Sequence, residues 1–119
     1  MNDRERKTLS ALAARGTDWL LDEAHALARR LIAPERKLRT IGTVSIGVAC
    51  DDLGNHTATA SSEWHRPQET GRHGIVDSST EYDVAGSRTE ALALLVMTLR
   101  TKAATAGVSV RPHHVRKGA

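Results

Sequence analysis

The side chains in this sequence with chemistry to offer are histidines, one thiol and a few close carboxylates. Six histidines (His25, His56, His65, His73, His113 and His114) and Cys50 could supply metal ligands. Zinc sites use recurrent spacings such as C-x2-C, H-x3-H or H-E-x-x-H, which set two ligands on one turn or one helix face. None occurs here. Adjacent histidines on an exposed tail seldom face one ion, so surface histidines and no metal site are expected.

Asp51, Asp52 and Glu63 fall at the ends of an expected hairpin. Paired carboxylates in such places can hold Mg2+ in nucleases. The nuclease pattern also wants a Lys shortly after the second acid, and Glu63 is followed by Trp64 and His65. Aspartates favour hairpin loops for turn chemistry alone, which is the stronger account. Cys50 is expected to point inward from a strand, where a free thiol acts as a small hydrophobe. No G-x-S-x-G elbow is present. Gly54, Gly71, Gly74 and Gly86 do not make a phosphate-cradling loop. The expectation is a protein without catalytic residues or cofactor.

The binding chemistry lies in the arginines. Arg29, Arg30, Arg36, Lys37 and Arg39 flank the end of the first strongly periodic helix, and Arg111, Arg116 and Lys117 stand in the tail. Together they could form a phosphate-binding surface, since guanidinium suits bidentate contacts. The alternative is a solvated helix end and a frayed tail. Charge is segregated to match. Residues 1–39 hold nine Lys or Arg against six Asp or Glu, residues 40–99 three against eight, and residues 100–119 five against none. The net charge is only +3, but the middle is acidic and both ends are basic.

The elements that must position these residues follow from hydrophobic spacing. Leu20, Ala24, Leu27 and Leu31 recur at helical intervals, with Leu21, Ala28 and Ile32 widening the stripe. Thr17 or Asp18 is the expected N-cap, and Pro34 closes the helix. Ahead of Gly16, residues 1–16 hold a possible short helix, with Gly16 as the joint. From Thr43 to Cys50, Val44, Ile46, Val48 and Cys50 alternate with small residues, which predicts a half-buried strand. The loop from Asp51 to Asn55 leads to a second strand over His56–Trp64, and residues 65–74 read as a loop. A polar third strand is expected between Ile75 and Val84, and its polarity marks an edge.

Ser87-Arg88-Thr89-Glu90 matches a capping box, followed by a stripe of Leu92, Leu95, Val96, Leu99 and Ala103. Gly107 is the expected C′ residue, Val108-Ser109-Val110 a possible last strand, and residues 112–119 a frayed basic tail. The chain is thus read as one α+β domain over residues 1–119, with two main helices packed on one face of a short antiparallel sheet of three to four strands. The order is α-β-β-(β)-α-(β). In order alone it is similar to double-stranded RNA-binding domains, which run α–β–β–β–α, and to antitoxins of the partial RNase H type, which run β–β–β–α–β. The basic Lys-Lys-x-x-Ala-Lys helix start of the RNA-binding domains is replaced by Ser87-Arg88-Thr89-Glu90-Ala91, and no family is assigned.

Composition narrows the function classes. With 119 residues, 39% apolar and 26% charged, the chain suits one core and is not of the disordered kind. The longest apolar run, Ala91 to Met97, is far below the roughly 20 residues of a membrane span. The single Cys50 and the polar start MNDRERKTLS favour a cytoplasmic protein. There is no Phe, and Trp19, Trp64 and Tyr82 are the only aromatic rings, so a base-stacking platform is disfavoured and the two Trp are expected as core anchors. The expected function is a small non-catalytic binding or regulatory protein that docks onto a macromolecular partner. That partner is nucleic acid, through the basic ends, or a protein, as for an inhibitor, adaptor or antitoxin. A small metal-dependent nuclease is the remaining alternative, and an open edge leaves room for a homodimer.

Overall fold

A computed structural model describes residues 1–32, 41–67 and 73–105. Three helices and three strands occur there, in the order α1 (Asp3–Ala13), α2 (Thr17–Ile32), β1 (Ile41–Cys50), β2 (His56–Pro67), β3 (His73–Ala85) and α3 (Arg88–Thr105). The α+β class is as expected, but the order is α-α-β-β-β-α.

The first helix is a full element because its start is closed by side chains. The Asn2 carboxamide oxygen accepts from the Glu5 N–H at 2.8 Å, and the Glu5 carboxylate accepts from the Asn2 N–H at 3.2 Å. This reciprocal box satisfies two of the four orphan amides of a helix start. At the other end the chain turns through Gly16, whose φ of 92° is natural only for glycine. The Leu20 N–H donates to the Gly16 carbonyl at 3.1 Å, so Gly16, not Thr17 or Asp18, precedes the first turn of α2. Thr17 instead shares a hydroxyl hydrogen bond of 3.0 Å with Thr89, tying the starts of α2 and α3 together. α3 begins as its sequence predicts, with the Glu90 N–H donating to the Ser87 hydroxyl at 3.2 Å.

The sheet is antiparallel, with β2 central and β1 and β3 at its edges. Its register runs from Ile41↔His65 to Cys50↔His56 on one side of β2. On the other side it runs from His56↔Ala85 to Pro67↔His73, with an irregularity at Trp64/His65. Both long strands exceed expectation. β2 continues through His65 and Arg66 to Pro67, and β3 already includes His73 and Gly74, so both ends of the expected 65–74 loop are strand, and residues 68–72 lie outside the described residues. His65, Arg66, Pro67, His73 and Gly74 carry no apolar alternation, so the sequence there shows no strand signal. The expected strand at residues 108–110, the Gly107 cap and the tail lie outside the described residues.

All three helices share one core with one face of the sheet. Leu12, Leu20, Ala24, Leu27, Leu92, Leu95, Val96 and Leu99 are buried together with Ala58 and Ala60 of β2, and Ile46 and Val48 of β1 pack on their flank. α3 touches β2 and β3 below and α1 and α2 at its sides, which is why it is apolar nearly all round from Ala91 to Met97. The large fully buried side chains are Leu and Val. Trp19 is not a core anchor: it is half-buried at the margin, with the Arg15 guanidinium 4.2 Å above its ring.

Candidate partner-binding face

Because successive strand residues point to opposite sides, the face turned away from the helices carries a defined set. It comprises Thr43, Ser45, Gly47 and Ala49 from β1, Thr57, Thr59, Ser61 and Glu63 from β2, and Thr80, Tyr82 and Val84 from β3. The register aligns these into cross-strand rows: Ala49–Thr57–Val84, Gly47–Thr59–Tyr82 and Ser45–Ser61–Thr80. Among the described residues no helix covers this face, because all three pack on the other side.

Two features stand out on it. Tyr82 is 65% exposed and Val84 48%, side by side on the face at the edge strand. The Gly47 row falls from the tyrosine ring, over Thr59, to bare backbone, with no atom within 4 Å of the place a Cβ would take. The result is a shallow shelf of hydroxyls, methyls and peptide groups with one aromatic ring beside it. Glu63 is its only charge among the described side chains. Its described side chains include one carboxylate and no histidine or thiol. It can supply contact area, hydroxyl hydrogen bonds and a rigid ring, the ingredients of a protein–protein contact.

The polar groups on the opposite side are engaged in holding α3. Lys102 pairs with Glu81 at 2.5 Å, and the Thr98 hydroxyl donates to the Asp83 carboxylate at 2.8 Å. Burial pushes the Asp83 carboxyl up, the Thr98 hydrogen bond opposes that, and the Glu81 charge adds to the rise. Glu23, an acid in the apolar stripe of α2, is buried and meets Arg100 of α3 at 2.9 Å. Sequence reading missed this pair. The signal was an acid three residues after Leu20 and four before Leu27, inside the buried stripe.

The hairpin end resolves two other expectations. Asp51 is a turn residue: its carboxylate accepts from the Leu53 and Asn55 N–H groups, both at 2.9 Å, and from the Asn55 amide at 3.2 Å. The Asn55 bonds, foremost, hold its pKa below the ordinary carboxylate value. Glu63 pairs with Thr43, eight residues beyond Asn55, or roughly 26 Å along the strand. The three carboxylates weighed as a nuclease constellation, Asp51 and Asp52 with Glu63, are not brought together. Cys50 is not buried in the core as expected but exposed, at the hairpin end of β1. Its thiol lies 3.6 Å from the His56 ring. Among the described residues no group of three metal-ligating side chains forms.

Of the expected basic surface, Arg29 is exposed and Arg30 half-buried in the last turn of α2, where cations suit the helix end. Arg36, Lys37, Arg39, Arg111, Arg116 and Lys117 lie outside the described residues. The described residues hold ten Lys or Arg against twelve Asp or Glu, so the basic surplus of the chain belongs to the segments outside them. No helix of the described residues is long and apolar enough to cross a membrane. Compared with models of known families, with curated proteins and with solved structures, the chain matches none.

Proposed function

We propose that this protein is a small non-catalytic binding protein that docks onto a partner protein through the open face of its sheet. The observation that supports this reading is the uncovered, nearly uncharged shelf beside the exposed ring of Tyr82. Tyrosine brings a large rigid surface with a polar tip, and residues of this kind dominate interface energies. A regulatory or inhibitory role in the cytoplasm suits such a chain, by analogy of size and composition.

The test is capture of partners from the native host by the wild type and by a Tyr82→Ala, Val84→Ser variant. Both side chains are exposed, so the variant should fold as the wild type does, which circular dichroism checks. A partner held by the wild type and lost by the variant supports the reading; a partner held equally by both refutes it.

Nucleic-acid docking through the basic ends is a second reading, favoured by the surplus of positive charge outside an acidic body. Phosphate binding would weaken steeply with salt through counterion release. It would also be lost when Arg29, Arg36, Lys37, Arg39, Arg116 and Lys117 are replaced together. Salt-insensitive or absent binding to DNA and RNA removes it.

A further inference from the structure

Among the described residues the outer edge of β1 carries none of the devices that keep an edge strand from pairing. Its sequence, IGTVSIGVAC, has no charge and no proline, and its register against β2 is unbroken from Ile41 to Cys50. Natural sheets guard their edges with charges, proline, bulges or a covering element. β3, the opposite edge, is so guarded: it carries Asp77, Glu81 and Asp83, and its register with β2 shifts at Trp64/His65. Among the described residues no strand pairs with the outer side of β1.

Hydrogen-bond phase tells which groups are turned outward. The Asp51 N–H donates to the Asn55 carbonyl at 3.0 Å, closing the hairpin. Bonded pairs alternate from there, so Ala49, Gly47, Ser45 and Thr43 bond to β2. Val44, Ile46, Val48 and Cys50 therefore aim their N–H and C=O groups away from the sheet. The side chains of Val44, Ile46 and Val48 are at the same time only half-buried.

We propose that β1 pairs antiparallel with β1 of a second copy of this chain, joining two three-stranded sheets into one of six strands. A two-fold axis at Ile46 sets Ile46 opposite Ile46 and Val44 opposite Val48, with roughly six backbone hydrogen bonds between the copies. Each copy then covers the half-buried aliphatic row of the other. A neutral strand fits itself without bringing like charges together. The same pairing through β3, with the axis at Tyr82, would set Glu81 opposite Asp83 of the second copy, which brings like charges together. The homodimer edge is thus β1, not the polar third strand that composition suggests.

The test is sedimentation of the whole chain over a range of concentrations, with reductant present because Cys50 is exposed. The expected result is twice the 12.9 kDa of one chain at high concentration. Val44→Pro removes an N–H that points outward and spares the bonds to β2, a position where an edge strand accepts proline. It should weaken dimerisation at least about tenfold. As a readout that needs no variant, the Ile46 and Val48 amides should exchange slowly at high concentration and faster on dilution. A single-chain mass throughout overturns the proposal, as does a dimer indifferent to a folded Val44→Pro variant. Protection of those two amides that is unchanged by dilution overturns it too, because the chain's own residues would then cover the edge.

Discussion

Glu23 of α2 and Arg100 of α3 form an ion pair at 2.9 Å across the helix interface, with the Glu23 side chain 3% exposed and the Arg100 side chain 34%. The pair is asymmetric: the acid depends on the base for its counter-charge, while the base keeps contact with water. Removing Arg100 therefore leaves a charge buried, whereas removing Glu23 leaves one that can reach solvent.

Arg100→Ala is expected to destabilise the fold by about 2–3 kcal/mol, below the full cost of breaking a buried pair because Arg100 is partly solvated. Glu23→Ala should cost less. The double variant Glu23→Leu, Arg100→Met should return close to wild-type stability, since apolar packing replaces the pair. Urea unfolding of the three variants checks this; a double variant as unstable as Arg100→Ala would contradict it.

Asp83 governs a pH dependence in the acid range. Burial raises its carboxyl above the ordinary 3.8, so the folded protein binds the proton more tightly than the unfolded chain. A group of this sign lends stability while protonated and loses it as pH rises from near 3.8 through the folded value. Asp83→Asn keeps an oxygen for the Thr98 hydroxyl and removes the charge. Thermal melts across that window should show a smaller loss of stability with rising pH in the variant, and equal or higher stability at neutral pH. An identical slope in both proteins would show that Asp83 is not the group responsible.

Gly16→Ala isolates a purely conformational cost. The backbone stands at φ 92°, and no atom lies within 4 Å of the added methyl. The expected loss is about 1 kcal/mol, read from the unfolding midpoint. Gly47→Ala, in ordinary strand geometry with equal space, should be neutral or slightly stabilising.

Cys50 is expected to react with a thiol reagent in the native state nearly as fast as in denaturant, because it is exposed at the end of β1. A native rate many-fold slower would return the thiol to the interior. Kinetics of a disulfide reagent with and without urea give the answer.

Much of the fold was legible because the buried residues are aliphatic and regularly spaced. The stripes of α2 and α3 are buried as their spacing requires, and Val44, Ile46 and Val48 face the helices. Asp51 behaves as a turn residue should. The length of β3 was not legible, because its partner strand and not its own apolar pattern holds it. Glu23 was not legible as buried, because its partner Arg100 is 77 residues away. Cys50 obeys the alternation and is still exposed, because alternation tells which face a residue takes and not how far the covering helices reach.

The sequence by itself determined the two main helices, the hairpin and the α+β class, since these rest on local spacing, caps and turn chemistry. Tertiary structure decided which surfaces the described residues leave open: a sheet face with Tyr82 and Val84 on it, and an edge strand without a charge. The physical reason is that exposure is a property of what packs on top. A three-stranded sheet covered by helices on one side has a second side and two edges, and only their arrangement in space shows which of these a partner can reach.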